Sequence, residues 1–274
     1  MKARKNKKVL SAFQIIIIGF LLVILLGTVL LMLPFASQSG KAASFFDALF
    51  TATSAVCVTG LVVQDTATYW SYFGQGIILL LIQIGGMGVV TVGASLMLLS
   101  GKKISFMQRN IMQEAVSAQQ VGGIVRLTRF IIIGTLGIEL LGACAMMPVF
   151  CKDFGVKGIW MSFFHSISAF CNAGFDLMGI NAKFSSLTSY VYHPVINIVI
   201  MLLIIIGGIG FLTWEDVVVH RHRLKKYRVQ SKLILLVTVV LVLVPAVYMF
   251  CRPCILQVAK FFYFNIIMKE DRFL

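Results

Sequence analysis

Charged side chains are scarce in this sequence, and acidic ones especially so. Charged residues make up 12% of the 274 residues and only 10 are Asp or Glu, whereas 59% are hydrophobic and the mean hydropathy is +0.95. A soluble domain is about a quarter charged, so this composition excludes an ordinary soluble protein and predicts several membrane crossings. The net charge of +14 does not indicate nucleic-acid binding, because the basic residues cluster at the ends of apolar segments, where they act as topology signals.

Cysteine and histidine are too few and too scattered for a disulfide framework or a zinc site. The chain has 6 cysteines and 4 histidines, and its CxxC, Cys251 to Cys254, has no second pair to complete a metal site. An intramembrane enzyme needs a nucleophile beside a base, and only His165 and Cys171 suggest such a pair. We therefore expect no enzymatic activity, no metal beyond a transported ion and no covalently bound cofactor.

The stretch from Phe45 to Leu61, FFDALFTATSAVCVTGL, is too short and too mixed to cross a bilayer, which takes about 20 apolar residues. Ser44 and Asp47 predict a helix start, and small and β-branched residues before Gly60 predict an extended loop that turns back. Such backbone is tolerated at membrane depth only where protein buries it or where it lines a water-filled path. We interpret the stretch as a half-membrane helix and a pore loop whose carbonyls replace the water around a cation.

The same stretch occurs a second time. Phe164 to Phe175 reads FHSISAFCNAGF, and a serine, an alanine, a cysteine and a glycine match the first copy at an offset of 114 residues, as from Gly60 to Gly174. Pro34, ahead of the first copy, matches Pro148 at the same offset. Matches of this kind at a single offset indicate an internal repeat.

At these residues the sequence resembles the Trk/Ktr family of potassium-uptake systems, and it is most similar to the Ktr-type membrane subunit. The resemblance rests on SAVCVTGL and CNAGF, each followed by a helix with a GGxG motif, and it runs from about residue 10 to about residue 250. It implies four repeats of helix, pore loop and helix around one ion path. This sequence holds two repeats and the opening of a third, so we expect it to be a fragment of such a subunit.

The resemblance also implies a potassium filter lined by backbone carbonyls. The expected filter residues are Val56, Cys57, Val58, Thr59 and Gly60 in the first loop and Phe170, Cys171, Asn172, Ala173 and Gly174 in the second. Neutral carbonyls suit potassium, and glycine permits the positive φ that turns successive carbonyls toward one axis. The side chains beside each glycine are expected to pack away from the ion.

The predicted fold class is an all-α polytopic membrane protein built from such repeats, with five spanning helices over 13–33, 73–99, 130–150, 190–214 and 233–250. We divide the chain into a first repeat (1–100), a cytoplasmic connection (101–128), a second repeat (129–219), a basic cytoplasmic loop (220–231) and the first helix of a third repeat with a divergent tail (232–274). The Lys and Arg distribution predicts a multi-pass plasma (inner) membrane protein with a cytoplasmic N-terminus and an outer C-terminus.

Two features of the spanning helices carry open interpretations. The glycine clusters Gly85, Gly86, Gly88 and Gly207, Gly208, Gly210 suit either close helix packing or a bend in a pore-lining helix. Glu139 lies near the middle of a predicted span, where an ionisable group is either functional or paired between helices.

Alternative functions and partners complete the expectations. A secondary ion-coupled transporter with a midplane site would use Glu139 as its coupling group, and sodium coupling of potassium uptake stays open. The resemblance implies a homodimer in the lipid bilayer and a cytoplasmic nucleotide-binding regulatory subunit. No nucleic-acid partner is expected.

Overall fold

A computed structural model describes residues 11–89, 91–93, 111–113, 124–180 and 182–270. These residues form helices joined by turns, and Ser37 and Trp70 form an isolated antiparallel bridge rather than a strand. The predicted all-α class is therefore confirmed. The chain divides into a first unit, residues 1–211, and a second unit, residues 212–274. Most of the predicted cytoplasmic connection, 101–128, lies outside the described residues.

The first repeat contains four helices: α1 (Ala12–Leu31), α2 (Phe45–Val56), the short α3 (Thr66–Tyr69) and α4 (Tyr72–Met87). Ser11 caps α1 in a capping box with Gln14. Ser44 caps α2 by accepting from the Asp47 N–H at 3.1 Å, as the spacing predicts. The Asp47 carboxylate accepts from Gln64 Nε2 at 3.1 Å and so links the start of α2 to the segment after the loop.

The second repeat contains α5 (Ile124–Phe154), α6 (Lys157–Phe170) and α7 (Pro194–Gly208), with 3₁₀ turns at Met178–Ile180 and Ser186–Tyr190. The predicted span 130–150 was too short at both ends, and the helix includes Pro148. Only two residues separate α5 from α6, so Pro148 falls within the last turns of a helix. Its counterpart Pro34 instead opens a 3₁₀ turn in a longer connection.

The two repeats pack in the same way. In the first, α1, α2 and α4 contact one another pairwise, and in the second α5, α6 and α7 do so. Ala48, Ala52 and Ala55 are fully buried on α2, because their small side chains let the half-length helix approach its neighbours closely. The two repeats meet where α4 packs against α6.

Three described helices are long and apolar enough to cross a membrane: the segments 13–31, 125–154 and 229–248. A fourth span results if Pro194–Gly208 and Phe211–His220 count as one broken span. This differs from the five predicted spans. The second predicted span is α4, which has 16 residues before Gly88, and residues 94–99 of that span lie outside the described residues.

The second unit holds most of α8 (Phe211–His220) and all of α9 (Val229–Glu270). Arg228 forms ion pairs with Glu215 at 2.7 Å and Asp216 at 3.7 Å, and Ser231 Oγ donates to Asp216 at 2.7 Å. The basic run is therefore a structured turn between two helices. Helix α9 includes Pro245 and runs on to Glu270, beyond the predicted end of the fifth span at 250.

Candidate functional site

Each of the two predicted pore loops begins where a half-length helix ends. Helix α2 ends at Val56 and α6 ends at Phe170, and the next residues, Cys57 and Cys171, keep right-handed backbone (φ −84°, ψ −1° and φ −73°, ψ −4°). The negative end of each helix dipole therefore points into its loop. The equivalent bounds show that the sequence repeat is also a structural repeat.

A Schellman motif closes each of these helices. In the first loop the Val58 N–H donates to Ala55 O at 3.3 Å, and the Thr59 N–H donates to Ser54 O at 2.9 Å. The second loop repeats both bonds, from Asn172 to Ala169 at 3.0 Å and from Ala173 to Ser168 at 2.7 Å. The motif uses the N–H groups of the loop and leaves its carbonyls for another partner.

The turn residue of the motif is left-handed in both loops but is a different amino acid in each. Val58 has φ +57° and Asn172 has φ +58°. Asparagine tolerates this region, whereas a β-branched residue there is strained. The first loop therefore stores backbone strain that the second loop avoids.

The repeated serine ties the start of each loop to its end. Ser54 Oγ donates to Leu61 O at 2.7 Å, and Ser168 Oγ donates to Phe175 O at 2.6 Å. In the first loop Ser54 Oγ also lies 2.8 Å from the hydroxyl of Thr59. The match of these serines in the sequence thus has a structural reason.

The two loops meet at their glycines. Gly60 has φ +74° and Gly174 has φ +71°. A Cβ atom on Gly60 would lie 2.6 Å from Ala173 O and 3.3 Å from Gly174 Cα, which is closer than real contacts allow. Glycine at 60 is therefore required twice, by the positive φ and by the approach of the other loop.

Backbone carbonyls of the loops remain without protein donors. Among the described residues, no hydrogen bond ends on a carbonyl of Cys57 to Gly60 or of Cys171 to Gly174. Cys57, Thr59, Asn172 and Gly174 are exposed, so their carbonyls are accessible to water or to a partially dehydrated cation, whose hydration shell carbonyl oxygens can replace.

The glycine clusters combine the two roles that the sequence left open. Gly85 packs on the Val56 carbonyl, and Gly207 packs on the Phe170 carbonyl, so in each repeat the first glycine admits the end of the pore helix. The third glycine ends the helix or follows its end in a positive-φ conformation, at +82° for Gly88 and +83° for Gly210. The close approach and the interruption are thus separate tasks of separate glycines.

The second glycine of each cluster distinguishes the two repeats. A Cβ atom on Gly86 would lie 2.5 Å from Cys171 Sγ, so α4 of the first repeat covers the cysteine of the second loop. At Gly208 the nearest such atom is Asn172 Nδ2 at 3.8 Å. As a result, Cys171 is buried, whereas its counterpart Cys57 is exposed.

The loop side chains divide between the protein interior and the exposed surface. Val56, Phe170, Cys171 and Ala173 are buried. The exposed ones are Cys57, Thr59 and Asn172, so the expectation of uniformly packed loop side chains was too simple.

Glu139 lies behind the second loop. Its side chain is 3% exposed, and Gln83 Nε2 of α4 donates to both carboxylate oxygens at 3.0 and 3.1 Å. Cys171 Sγ is 4.0 Å from Glu139 Oε1 and 3.9 Å from Gln83 Oε1. Sequence reasoning missed Gln83, although a lone glutamine inside the apolar run IILLLIQIGG was a usable signal.

His165 is a buried structural residue in α6. Its Nδ1 lies 2.7 Å from Met161 O, and its Nε2 accepts from the Leu177 N–H at 3.2 Å, so Nδ1 carries the proton. Both ring nitrogens are engaged, and no described group of three or more His, Cys, Asp or Glu side chains converges as a metal site.

Asp65 joins the segments that follow the two loops, and sequence reasoning assigned it no such role. Its Oδ1 caps α3 by accepting from the Ala67 and Thr68 N–H groups at 3.0 and 2.9 Å. Its Oδ2 accepts from the Phe184 N–H at 3.0 Å, and Gly179 packs directly on the carboxylate. The Asp65 carboxylate thereby anchors the first repeat to the second just beyond the filter loops.

Comparison with known proteins identifies the family to which this sequence is similar. The sequence profile of the TrkH family, described as "Cation transport protein", matches residues 2–267. The chain is 44% identical over 244 residues to the potassium/sodium uptake protein NtpJ of Enterococcus hirae, and the alignment covers 89% of the chain and 52% of that protein. It is 43% identical over 229 residues to the Ktr system potassium uptake protein B of Bacillus subtilis, with 83% and 50% covered. For the Ktr system potassium uptake protein B of Vibrio alginolyticus the identity is 37% over 238 residues, with 85% and 50% covered. The chain spans about half the length of these curated relatives.

Proposed function

Because the chain belongs to the TrkH family of cation transport proteins, we propose that it contributes two pore loops to a potassium pathway across the plasma membrane, within a Trk/Ktr-type uptake system. The family match agrees with the resemblance found in the sequence and with the expectation that the chain is not an enzyme. The chain is a membrane-embedded member of a cation transport family.

The observation that carries the proposal is the pair of loops that meet at Gly60 and Gly174. Both use the same Schellman motif and the same serine bond, and both present carbonyls that no described protein group engages. Two independent copies of one backbone geometry, brought to the same point, form one wall of a cation site. The proposed filter residues are 56–60 and 170–174.

Potassium is the proposed ion because the loops offer neutral oxygens. Neither loop contains Asp or Glu, and Asp65 and Asp176 come only after the turn. A ring of carboxylates would favour divalent ions, whereas carbonyls suit a large monovalent ion. One relative is named for both potassium and sodium, so we include sodium as a competing or coupling ion in the experiments.

The proposed organisation follows the sequence divisions at 1–100, 101–128, 129–219, 220–231 and 232–274, with the N-terminus in the cytoplasm. Its support is the excess of Lys and Arg in 1–10, 101–129 and 220–232, against Lys41 alone in 34–72. Single cysteines in a cysteine-free background, Ser39→Cys and Arg223→Cys, test this topology with an impermeant thiol reagent. Labelling of both positions from the same side of intact cells would contradict it.

We further propose that the working assembly is a homodimer regulated by a cytoplasmic nucleotide-binding subunit, as the family resemblance implies. Two relatives are named as parts of a Ktr system, which supports an assembly of more than one component. Mass measurement of the purified detergent complex tests the dimer. A monomeric mass under all conditions would refute it.

A chimera tests the transport function. The chain replaces its matching region in the Bacillus subtilis relative, to which it is 43% identical over 229 residues, and the chimera is expressed in a bacterial host that lacks its own potassium uptake. We expect growth at low potassium, and we expect Gly60→Ser and Gly174→Ser to reduce discrimination of potassium over sodium. Gly76→Ala is the matched control, because a Cβ there meets nothing within 4 Å. Tight proton exchange that depends on Glu139 would favour a secondary transporter instead.

A further inference from the structure

The hydrogen bonds of Glu139 do not by themselves explain why a carboxylate is buried at this position. It lies inside α5 with 3% of its surface exposed, where an ionisable group is costly unless it is paired. Gln83 Nε2 donates to both oxygens at nearly equal distances, 3.0 and 3.1 Å. Such symmetric donation suits an ionised carboxylate, whose two oxygens are equivalent acceptors.

No described Lys, Arg or His side chain forms an ion pair with this carboxylate. Across the described ranges, the ion pairs are those of Arg228 with Glu215 and Asp216, in the second unit. A buried charge that remains unpaired is strongly unfavourable. The Glu139 carboxylate therefore stays ionised in this setting when a positive charge binds nearby.

The second pore loop lies directly in front of Glu139. Cys171, the first residue of that loop, has its sulfur 4.0 Å from Glu139 Oε1. The backbone of Glu139 is fixed there as well, because Ser166 Oγ of the pore helix donates to Glu139 O at 2.6 Å. Helix α5, the pore helix and α4 thus hold the carboxylate at a constant position behind the loop carbonyls.

We propose that Glu139 is a positioning residue of the cation pathway, whose ionised carboxylate, oriented by Gln83 behind Cys171, provides the negative charge that balances a monovalent cation at the second pore loop. This inference rests on the proposed function, because it requires a cation at the loop carbonyls. It differs from a coupling role, since Glu139 acts through the electric field and neither binds nor releases the ion itself.

The size of the effect follows from Coulomb's law. At a separation on the order of 10 Å and an effective dielectric constant of about 20, one charge alters the affinity for a monovalent ion about tenfold. The energy is proportional to the charge of the ion, so a divalent ion of similar radius is affected about a hundredfold. A variant that only distorted the loop would not be expected to weaken binding of the divalent ion by the square of the factor for the monovalent ion.

The test measures cation binding to the purified chimera with the Bacillus subtilis relative in detergent, because the two loops of this chain alone do not surround a cation. Thermal unfolding is followed against K⁺ and separately against Ba²⁺ at constant ionic strength. A ligand that binds only the folded state raises its stability by RT ln(1 + [L]/Kd), so the midpoint against ion concentration gives the Kd. Glu139→Gln keeps the shape and can still hydrogen-bond Gln83, so we expect K⁺ affinity to fall about tenfold and Ba²⁺ affinity about a hundredfold. Glu139→Asp keeps the charge and should stay within about threefold of the wild type for both ions.

Glu215→Gln is the control for loss of one carboxylate, because Glu215 is in the second unit and pairs with Arg228. Its affinities should equal those of the wild type. If the wild type binds K⁺ and Glu139→Gln binds both ions unchanged, or weakens both by the same factor, the inference is overturned while the proposed function stands. If the wild type shows no response to K⁺, the cation site itself is refuted and both conclusions fall.

Discussion

Replacement of Gly60 by alanine should destabilise the chain more than the same change at the equivalent Gly174. Both glycines are left-handed, at φ +74° and +71°, so each variant loses about 1–2 kcal/mol of unfolding free energy to backbone strain. Only at Gly60 does the new Cβ also collide, at 2.6 Å, with the Ala173 carbonyl. At Gly174 the closest atom is Gly60 Cα at 3.4 Å, an ordinary contact.

The collision adds an overpacking cost of about 1–3 kcal/mol and moves the second loop by several tenths of an ångström. Gly60→Ala should therefore lose about 2–5 kcal/mol in total, and Gly174→Ala about 1–2 kcal/mol. Gly40→Ala isolates the strain, because Gly40 has φ +68° and nothing within 4 Å of its would-be Cβ. We expect its cost to match that of Gly174→Ala.

Thermal unfolding in detergent, followed by the fluorescence of the 3 tryptophans, ranks the three glycine variants by their loss of stability. One kcal/mol corresponds to about 2–4 °C in the midpoint for a chain of this size class, so Gly60→Ala should melt at least about 4 °C below the wild type. Equal costs at Gly60 and Gly174 would show that the two loops do not touch as described. A cost at Gly40 as large as that at Gly60 would show that strain alone explains both.

Four further variants test backbone strain and single hydrogen bonds. Val58→Asn should raise the unfolding free energy by about 1 kcal/mol and Asn172→Val should lower it by a similar amount, because both positions are left-handed; opposite signs would refute the strain argument. Asp65→Asn should cost about 1–3 kcal/mol, because it weakens the cap of α3 and the bond to the Phe184 N–H; unchanged melting would mean that the link is dispensable. Burial and the hydrogen bond to Asp153 raise the pKa of Tyr190, so its contribution is complete below pH of about 10 and is lost as the pH rises through the raised folded value. Tyr190→Phe should therefore melt lower below pH of about 10 and lose less stability above it, and parallel pH profiles would contradict this.

The sequence predicted the fold class and the position of both loops because these depend on local patterns. A capping serine at Ser44, a run of small residues and a closing glycine act within one turn of the chain and need no distant partner. The matched serines Ser54 and Ser168 were visible as a repeat, although their bonds to Leu61 and Phe175 were not. Local rules thus gave the loops their position and their turn.

Contacts between the repeats could not be read from the same patterns. Gln83 meets Glu139 from another helix, and Asp65 reaches Phe184 across 119 positions, so neither pairing follows from spacing along one element. Helix ends were predicted less well. Helix α5 spans Ile124–Phe154 and extends past both ends of the predicted 130–150, because charged residues such as Arg126 and Lys152 end the apolar run without ending the helix.

The contacts between the two repeats have a direction. Gly86 of the first repeat covers Cys171 of the second, and no described helix of the second covers Cys57 of the first in return. The relation is therefore head-to-tail, and an interface of this type closes only when the same step has been repeated around a ring. A dehydrated cation needs oxygens from several sides, and two neighbouring loops supply one side. If further loops complete a ring, as we propose, repetition of the same step would lay a helix over Cys57 and set a loop against Gly208. Gly208 is equivalent to Gly86, so a further loop could pack against Gly208 as the second loop packs against Gly86.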